Sequence, residues 1–240
     1  MLKISGFANL PPMTRTRKPA APAAPAPQTP PPAEPARRPR GRPRKTALEI
    51  DDGNRRRALM DCAAELFLTQ GYAATSVRDI AAAVGMHSGS PFYFFKSKSD
   101  LLHAVMHEGM LQAELSQQQA MQALAPDTPI AERLRTLIRH HFEVLLGPRS
   151  GFIPVMLYEW RSLTAVQRND VSGIKDRYEA VWAPVLEQLH AQGALQADPG
   201  VARLYIFGAL HWAVQWFSPR KGMTLDQLSD QAMALFIRKD

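Results

Sequence analysis

Between Gly71 and Leu101 the chain gathers hydroxyls, cations and aromatic rings at spacings suited to gripping a polyanion rather than breaking a bond. A short helix through Ser88, Gly89, Ser90, Pro91, Phe92, Tyr93 and Phe94, small at its leading end, fits the major groove of DNA. The elements that must position it are legible around it. Gly71 can take the left-handed conformation that ends a helix, Ser76 with Asp79 three residues on forms a capping-box start, and Gly85 permits a sharp reversal. Helix stop, turn, short amphipathic helix, second turn and second short helix make a helix-turn-helix, and Phe95 to Leu102 opens a longer helix behind it.

The wider composition agrees with a nucleic-acid partner for part of the chain. Of its 240 residues, 29 are Lys or Arg and 22 are Asp or Glu, and residues 1–57 carry 13 of those bases against 4 of those acids, leaving the rest slightly acidic. A basic arm on a near-neutral body points to a polyanion for the arm and another task for the body. Cys62 is the single cysteine, so no internal disulfide can form, and its place on the apolar face with Leu59, Ala63, Leu66 and Phe67 reads as a buried thiol. The start lacks a secretory apolar run, and Val201–Phe217 is interrupted by Arg203, His211 and Gln215. A cytoplasmic protein with no membrane partner is expected.

Residues 1–52 form a low-complexity arm, since Pro11–Pro43 holds 12 of the 20 prolines with alanine filling most gaps. Helices are expected over about 54–70, 76–83, 88–94, 97–124, 130–145, 153–163, 166–191 with a kink at Pro184, 199–217 and 225–237. No alternating strand pattern interrupts them, so the class is all-α, with a helix-turn-helix head at 53–100 and a helical body at 101–240. The helix from Pro199 is apolar nearly all round, and with the last helix it suggests a symmetric four-helix contact between two copies through Leu210, Val214, Phe217, Leu228 and Leu235. The body shows no catalytic constellation, no cofactor motif, and no metal-ligand spacing around His103, His107, His140 and His141.

The ordered set Ala63-Ala64-Glu65-Leu66-Phe67, Gly71-Tyr72, Thr75 to Ala81, Val84-Gly85, Gly89 and Phe95 to Leu102 resembles the TetR/AcrR family of transcriptional regulators. The resemblance implies a DNA-binding head, a helical ligand-binding body and dimerisation through the last two helices. It places Ser88, Gly89, Ser90, Phe92, Tyr93 and Phe94 on the recognition helix, Ser76 and Arg78 at the start of the second helix, and Lys98 near phosphate. Two departures matter: His87 stands where the family commonly caps with Ser, and Pro91 where it usually has an apolar helix former. With Ser88 as cap, Pro91 becomes the third helical residue, where its missing N–H breaks no helical bond.

Phe142, Phe152, Met156, Tyr158, Trp160, Tyr178 and Trp182 fall on helices that enclose the effector cavity in proteins of this kind, and would suit a large apolar ligand. The stretch Gly208 to Pro219 is similar to members that answer to acyl-CoA thioesters, with Arg161, Arg168 and Arg177 as candidates for the phosphates. In the arm, Pro39-Arg40-Gly41-Arg42-Pro43 resembles an AT-hook, with Arg40 and Arg42 entering a narrow minor groove and Gly41 allowing close approach to its floor. The expected function is a homodimeric, ligand-responsive repressor on a pseudopalindromic double-stranded operator. An architectural, ligand-independent protein for A·T-rich DNA is the alternative.

Overall fold

The computed structural model describes residues 47–147, 151–218 and 222–238. Arg40, Gly41 and Arg42 of the hook-like motif lie outside the described residues. Among the described residues there are ten α-helices and one 3₁₀ turn and no strand, which is the all-α class.

The first helix, α1 (Ala47–Gln70), begins earlier than its apolar pattern suggested, because Ala47, Leu48 and Glu49 are good helix formers. It ends where Gly71 takes a φ of 84°. In α2 (Val77–Ala83) the capping box is complete: Asp79 N donates to Ser76 Oγ at 3.2 Å, and Ser76 N donates to Asp79 Oδ2 at 2.8 Å. These bonds from Ser76 hold the Asp79 carboxyl below its ordinary range.

The next element differs from expectation. Residues 88–90 form a turn closed by Ser90 N donating to His87 O at 2.9 Å, and α3 (Pro91–Phe94) starts with Pro91 first rather than third. Proline is preorganised for that first position, where the absent N–H has no helical partner to lose. Ser88 is therefore part of the approach and not the cap.

The 25-residue α4 (Lys98–Gln122) is capped by Ser97, whose Oγ accepts from Asp100 N at 3.0 Å. Residues 45–240 make one compact unit, and the boundary expected at residue 100 falls inside α4. Around it lie α5 (Ile130–Leu146), α6 (Phe152–Glu159), α7 (Ala165–Ala180) and α8 (Trp182–Ala191). Neither Asp127 nor Thr128 caps α5; Pro129 precedes it, and Arg133 ties the turn by donating to Thr128 O and Pro126 O at 3.1 and 2.8 Å. The single kinked helix expected over 166–191 is broken at Val181 into α7 and α8. Pro184 cannot donate to Ala180 O, the last carbonyl of α7, and its ring crowds that carbonyl. The chain closes with α9 (Pro199–Trp216), capped by Asp198, and α10 (Leu225–Phe236), capped by a Thr224–Gln227 box.

Packing centres on α4, which meets α1, α5, α6 and α7. Gly109 lets α6 approach it: a Cβ there would stand 2.1 Å from Phe152 Cδ2. The core also encloses polar groups on α5. Burial pushes the His140 imidazole down to about 4, with Glu143 opposing and Arg139 reinforcing, and pushes His141 well below its ordinary range.

An unfolded histidine titrates near 6.5, so between that pH and about 4 the unfolded chain binds protons that the folded His140 refuses. Stability is full above pH 6.5 and falls as the medium is acidified through this window. Urea denaturation at pH 7.5 and pH 5 is expected to show this loss, and His140→Gln, which cannot titrate, is expected to shrink it. Equal losses in the two proteins would contradict the assignment.

Candidate functional site

The head presents its recognition segment outward. Ser88 and Gly89 are exposed, as are Phe92 at 53% and Tyr93 at 76%, while Ser90 and Phe94 are half-buried. Phe94 braces Tyr93 edge to face, with ring centroids 4.9 Å apart, and Phe95 is buried beneath with the Arg56 guanidinium 5.2 Å over its ring. Two aromatic rings left largely to solvent on one short helix suit contact with a partner. Arg78 is exposed at the start of α2. Ser76 is also exposed, but its hydroxyl is committed to the cap, donating to Asp79 Oδ2 at 2.7 Å.

Lys98, expected near phosphate, turns its ammonium onto the head's own backbone instead. Its Nζ donates to Tyr72 O and Thr75 O at 2.8 Å each and to Ala73 O at 3.4 Å, and lies 4.3 Å from the centre of the Tyr72 ring. The first residue of α4 thus clamps the α1–α2 turn. The far side of that turn is held by α6, since Tyr72 N donates to Glu159 Oε1 at 3.1 Å while Ser162 Oγ donates to Glu159 Oε2 at 2.9 Å. Arg56 on α1 pairs with Glu108 on α4. On the opposite face of α4, Ser99 Oγ donates to Gln167 Oε1 at 3.0 Å and His103 Nε2 lies 2.8 Å from Asp170 Oδ2, both on α7.

Below this joint a narrow apolar cleft of about 20 Å³ opens between α4, α5, α6, α7 and α9. Of the expected ligand residues, Met156 and Tyr178 line it. The others are placed elsewhere. Phe142 is core, and so is Trp182, whose Nε1 donates to the buried Gln117 side-chain carbonyl at 2.9 Å. Phe152 lines a second small crevice between α1 and α4, Tyr158 is exposed and bonded to Gln215, and Trp160 sits in the 3₁₀ turn after α6.

What aromatic content alone missed is the polar end of the cleft: His141, His211, Lys175 and Glu179. Glu179 pairs with Lys175 Nζ at 2.6 Å and with Arg203. Burial lowers the His211 imidazole, with Glu179 opposing and Lys175 reinforcing. The signal for His141 was its position in the apolar stripe of α5 with Leu134, Leu137, Ile138 and Leu145. Of the arginines considered for phosphates, Arg177 is engaged with Glu114 at 2.8 and 3.0 Å, and Arg168 donates to Leu163 O.

The apolar face left over is not quite the one expected. Leu210 and Leu228 are 2% and 5% exposed, inside the protomer's own core, and Val214 and Phe217 are partly buried against it. Leu235 does face outward, at 81%. The outward stripe of α9 instead runs Val201, Leu204, Tyr205, Gly208, Ala209, Trp212 and Trp216, at helical spacing throughout. Small residues in its middle allow another helix to approach closely.

Among the described residues no helix is long and apolar enough to cross a membrane. Two family descriptions match this chain: "Bacterial regulatory proteins, tetR family" over residues 59–105, and "Tetracyclin repressor-like, C-terminal domain" over residues 127–239. It is 28% identical to the HTH-type transcriptional repressor KstR2 of Rhodococcus jostii strain RHA1 over 186 residues, covering 76% of this chain and 89% of that one. Among solved structures, AibR in complex with isovaleryl coenzyme A and operator DNA superposes with a TM-score of 0.68 at 29% identity, covering 76% of this chain and 97% of that one. The superantigen PfiT superposes with a TM-score of 0.64 at 34% identity, covering 77% and 97%. Head, body and motif order agree with both family matches, and the chain belongs to the TetR family of transcriptional regulators.

Proposed function

We propose that this regulator is a repressor that binds operator DNA as a homodimer and is released when an apolar acyl thioester enters the cleft. One observation carries the reading: α4 and α6 each wall the cleft and each hold the head. Met110 and Ala113 on α4 and Ile153 and Met156 on α6 line the cleft, while Lys98 and Glu159, on the same two helices, grip the backbone around Tyr72. A cleft of about 20 Å³ cannot take an acyl chain without its walls parting, and packed helices shift as units rather than deform. Ligand then favours one pose of the heads and DNA another, and repression ends to the extent that the two affinities differ.

The relatives support this reading, one being named a repressor and another having been crystallised with an acyl-CoA and its operator. Met and branched aliphatic walls suit an acyl chain, and Lys175 and Arg203, two cations sharing the single carboxylate of Glu179, leave a net positive charge beside the cleft. Ser88, Gly89, Ser90, Phe92 and Tyr93 would face the major groove, with Arg78 on phosphate. Lys98 acts as a positioning residue. The arm, through Arg40, Gly41 and Arg42, adds hold on the minor groove. The outward stripe of α9, with Leu235 of α10, pairs with its copy across a twofold axis.

Footprinting on DNA flanking its own gene is expected to show two protected half-sites whose centres lie one helical turn, about 34–36 Å, or a multiple of it apart. Octanoyl-CoA is expected to abolish the protection, and a footprint of one unpaired site, or one indifferent to every thioester tested, would contradict the reading. Trp212→Arg combined with Leu204→Arg is expected to yield a folded monomer by light scattering and to weaken operator binding more than tenfold. A dimer surviving both changes would place the interface elsewhere.

A further inference from the structure

Among the described residues, none supplies a hydrogen-bond partner to the buried His141 Nε2. His141 is 3% exposed and lines the cleft, with its ring packed among those of Trp182, Phe207 and His211 at centroid distances of 5.9, 5.0 and 5.1 Å. An orphaned polar atom in such surroundings costs free energy in the folded protein and is a feature to be explained. The network behind the ring determines whether that atom is a donor or an acceptor.

The wiring starts at Ser116. Its oxygen lies 2.8 Å from both Gln112 O and His140 Nε2; donating to the carbonyl, it accepts from the ring. Neutral His140 therefore carries its proton on Nε2, leaving Nδ1 bare. Tyr178 keeps its phenolic proton, since burial raises its hydroxyl far above the ordinary range. Two ring nitrogens lie within reach of that proton, His141 Nδ1 at 2.9 Å and His140 Nδ1 at 3.5 Å, and the stronger bond forms when it is given across the shorter contact. With Nδ1 accepting, the neutral ring of His141 must hold its proton on Nε2. In that arrangement the orphan is a donor.

Glu179 is the one carboxylate among the residues lining the cleft, and Lys175 and Arg203 hold it. We infer that His141 Nε2–H is a hydrogen-bond donor built for an uncharged carbonyl oxygen of the effector, with the alkyl portion lying on Met110, Val144, Ile153 and Met156. This rests on the effector reading above and narrows it. A thioester, ester or ketone satisfies the donor, whereas a free carboxylate would bring a charge into a cleft whose remaining walls are mostly apolar. His141 would thus be a specificity residue that selects the activated acyl group over the free acid from which it is made.

The test compares octanoyl-CoA with S-octyl-CoA, the thioether whose carbonyl is replaced by methylene, and with octanoate, by titration calorimetry on the full-length dimer. The wild type is expected to bind the thioester about tenfold tighter than the thioether, the usual magnitude of one hydrogen bond, and to bind octanoate more weakly still. In His141→Phe, which keeps an aromatic ring against Trp182 and Phe207, thioester and thioether are expected to bind alike. Equal binding of the two by the wild type, retention of the difference in the variant, or octanoate binding as tightly as the thioester would overturn the inference. Independently of ligand and of variant folding, a long-range ¹H–¹⁵N spectrum of the free wild-type protein near pH 7.5 is expected to show His141 protonated on Nε2; protonation on Nδ1 would overturn it. If no thioester binds and the spectrum shows Nε2–H, the acyl-CoA reading fails while the donor stands.

Discussion

One helix cannot stay straight and also leave its two ends independent, and α4 is that helix. Its 25 residues rise about 1.5 Å each, so side chains near its start and those in its middle are tied by a continuous hydrogen-bonded rod. Its first residue, Lys98, clamps the α1–α2 turn, and Met110 and Ala113 three to four turns later wall the cleft. The Gly109 contact with Phe152 locks α6 against the same rod, and α6 returns to the head through Glu159. Cleft and the α1–α2 turn of the head are therefore joined twice, by two helices packed on each other. A change in the width of one is transmitted to the orientation of the other through rigid elements rather than through a chain of soft contacts.

The polar arrangement inside the body makes sense within that frame. Burying His140, His141 and His211 in one region costs stability, and acid sensitivity is the consequence. Two of these costs are offset locally: His140 is satisfied by Ser116, and His141 Nδ1 by Tyr178. His141 Nε2 is left open at the cleft. A protein that needed only a stable core would have an aliphatic residue at position 141, in line with Leu134, Leu137, Ile138 and Leu145.

Much of the head was legible in the sequence because its signals are local. Ser76 and Asp79 sit within one turn of each other, and Gly71 and Gly85 mark positions where φ is 84° and 69°. Pro184 announced a break, but whether a proline kinks or divides a helix depends on packing beyond its own turn. The outward face of α9 was not legible because the helix is apolar on nearly all sides, so periodicity cannot tell the face turned to the protomer's core from the face turned away; Leu210 and Trp212 look equally eligible, and the fold buries Leu210 and leaves Trp212 exposed. His141 was visible as a member of an apolar stripe. Its chemistry was not, since the tautomer depends on Tyr178, 37 positions away, and on Ser116 acting through His140.

Coupling of cleft to head through α4 is tested most directly by pulsed electron resonance on the homodimer, with a spin label at Arg78→Cys in a Cys62→Ser background, since Arg78 is exposed on the head. Saturating octanoyl-CoA is expected to move the label-to-label distance by several ångströms from the DNA-bound value, to a separation that no longer matches successive major grooves, about 34–36 Å apart. A distribution identical with thioester and with operator DNA, under conditions where calorimetry shows both bound, would contradict the coupling.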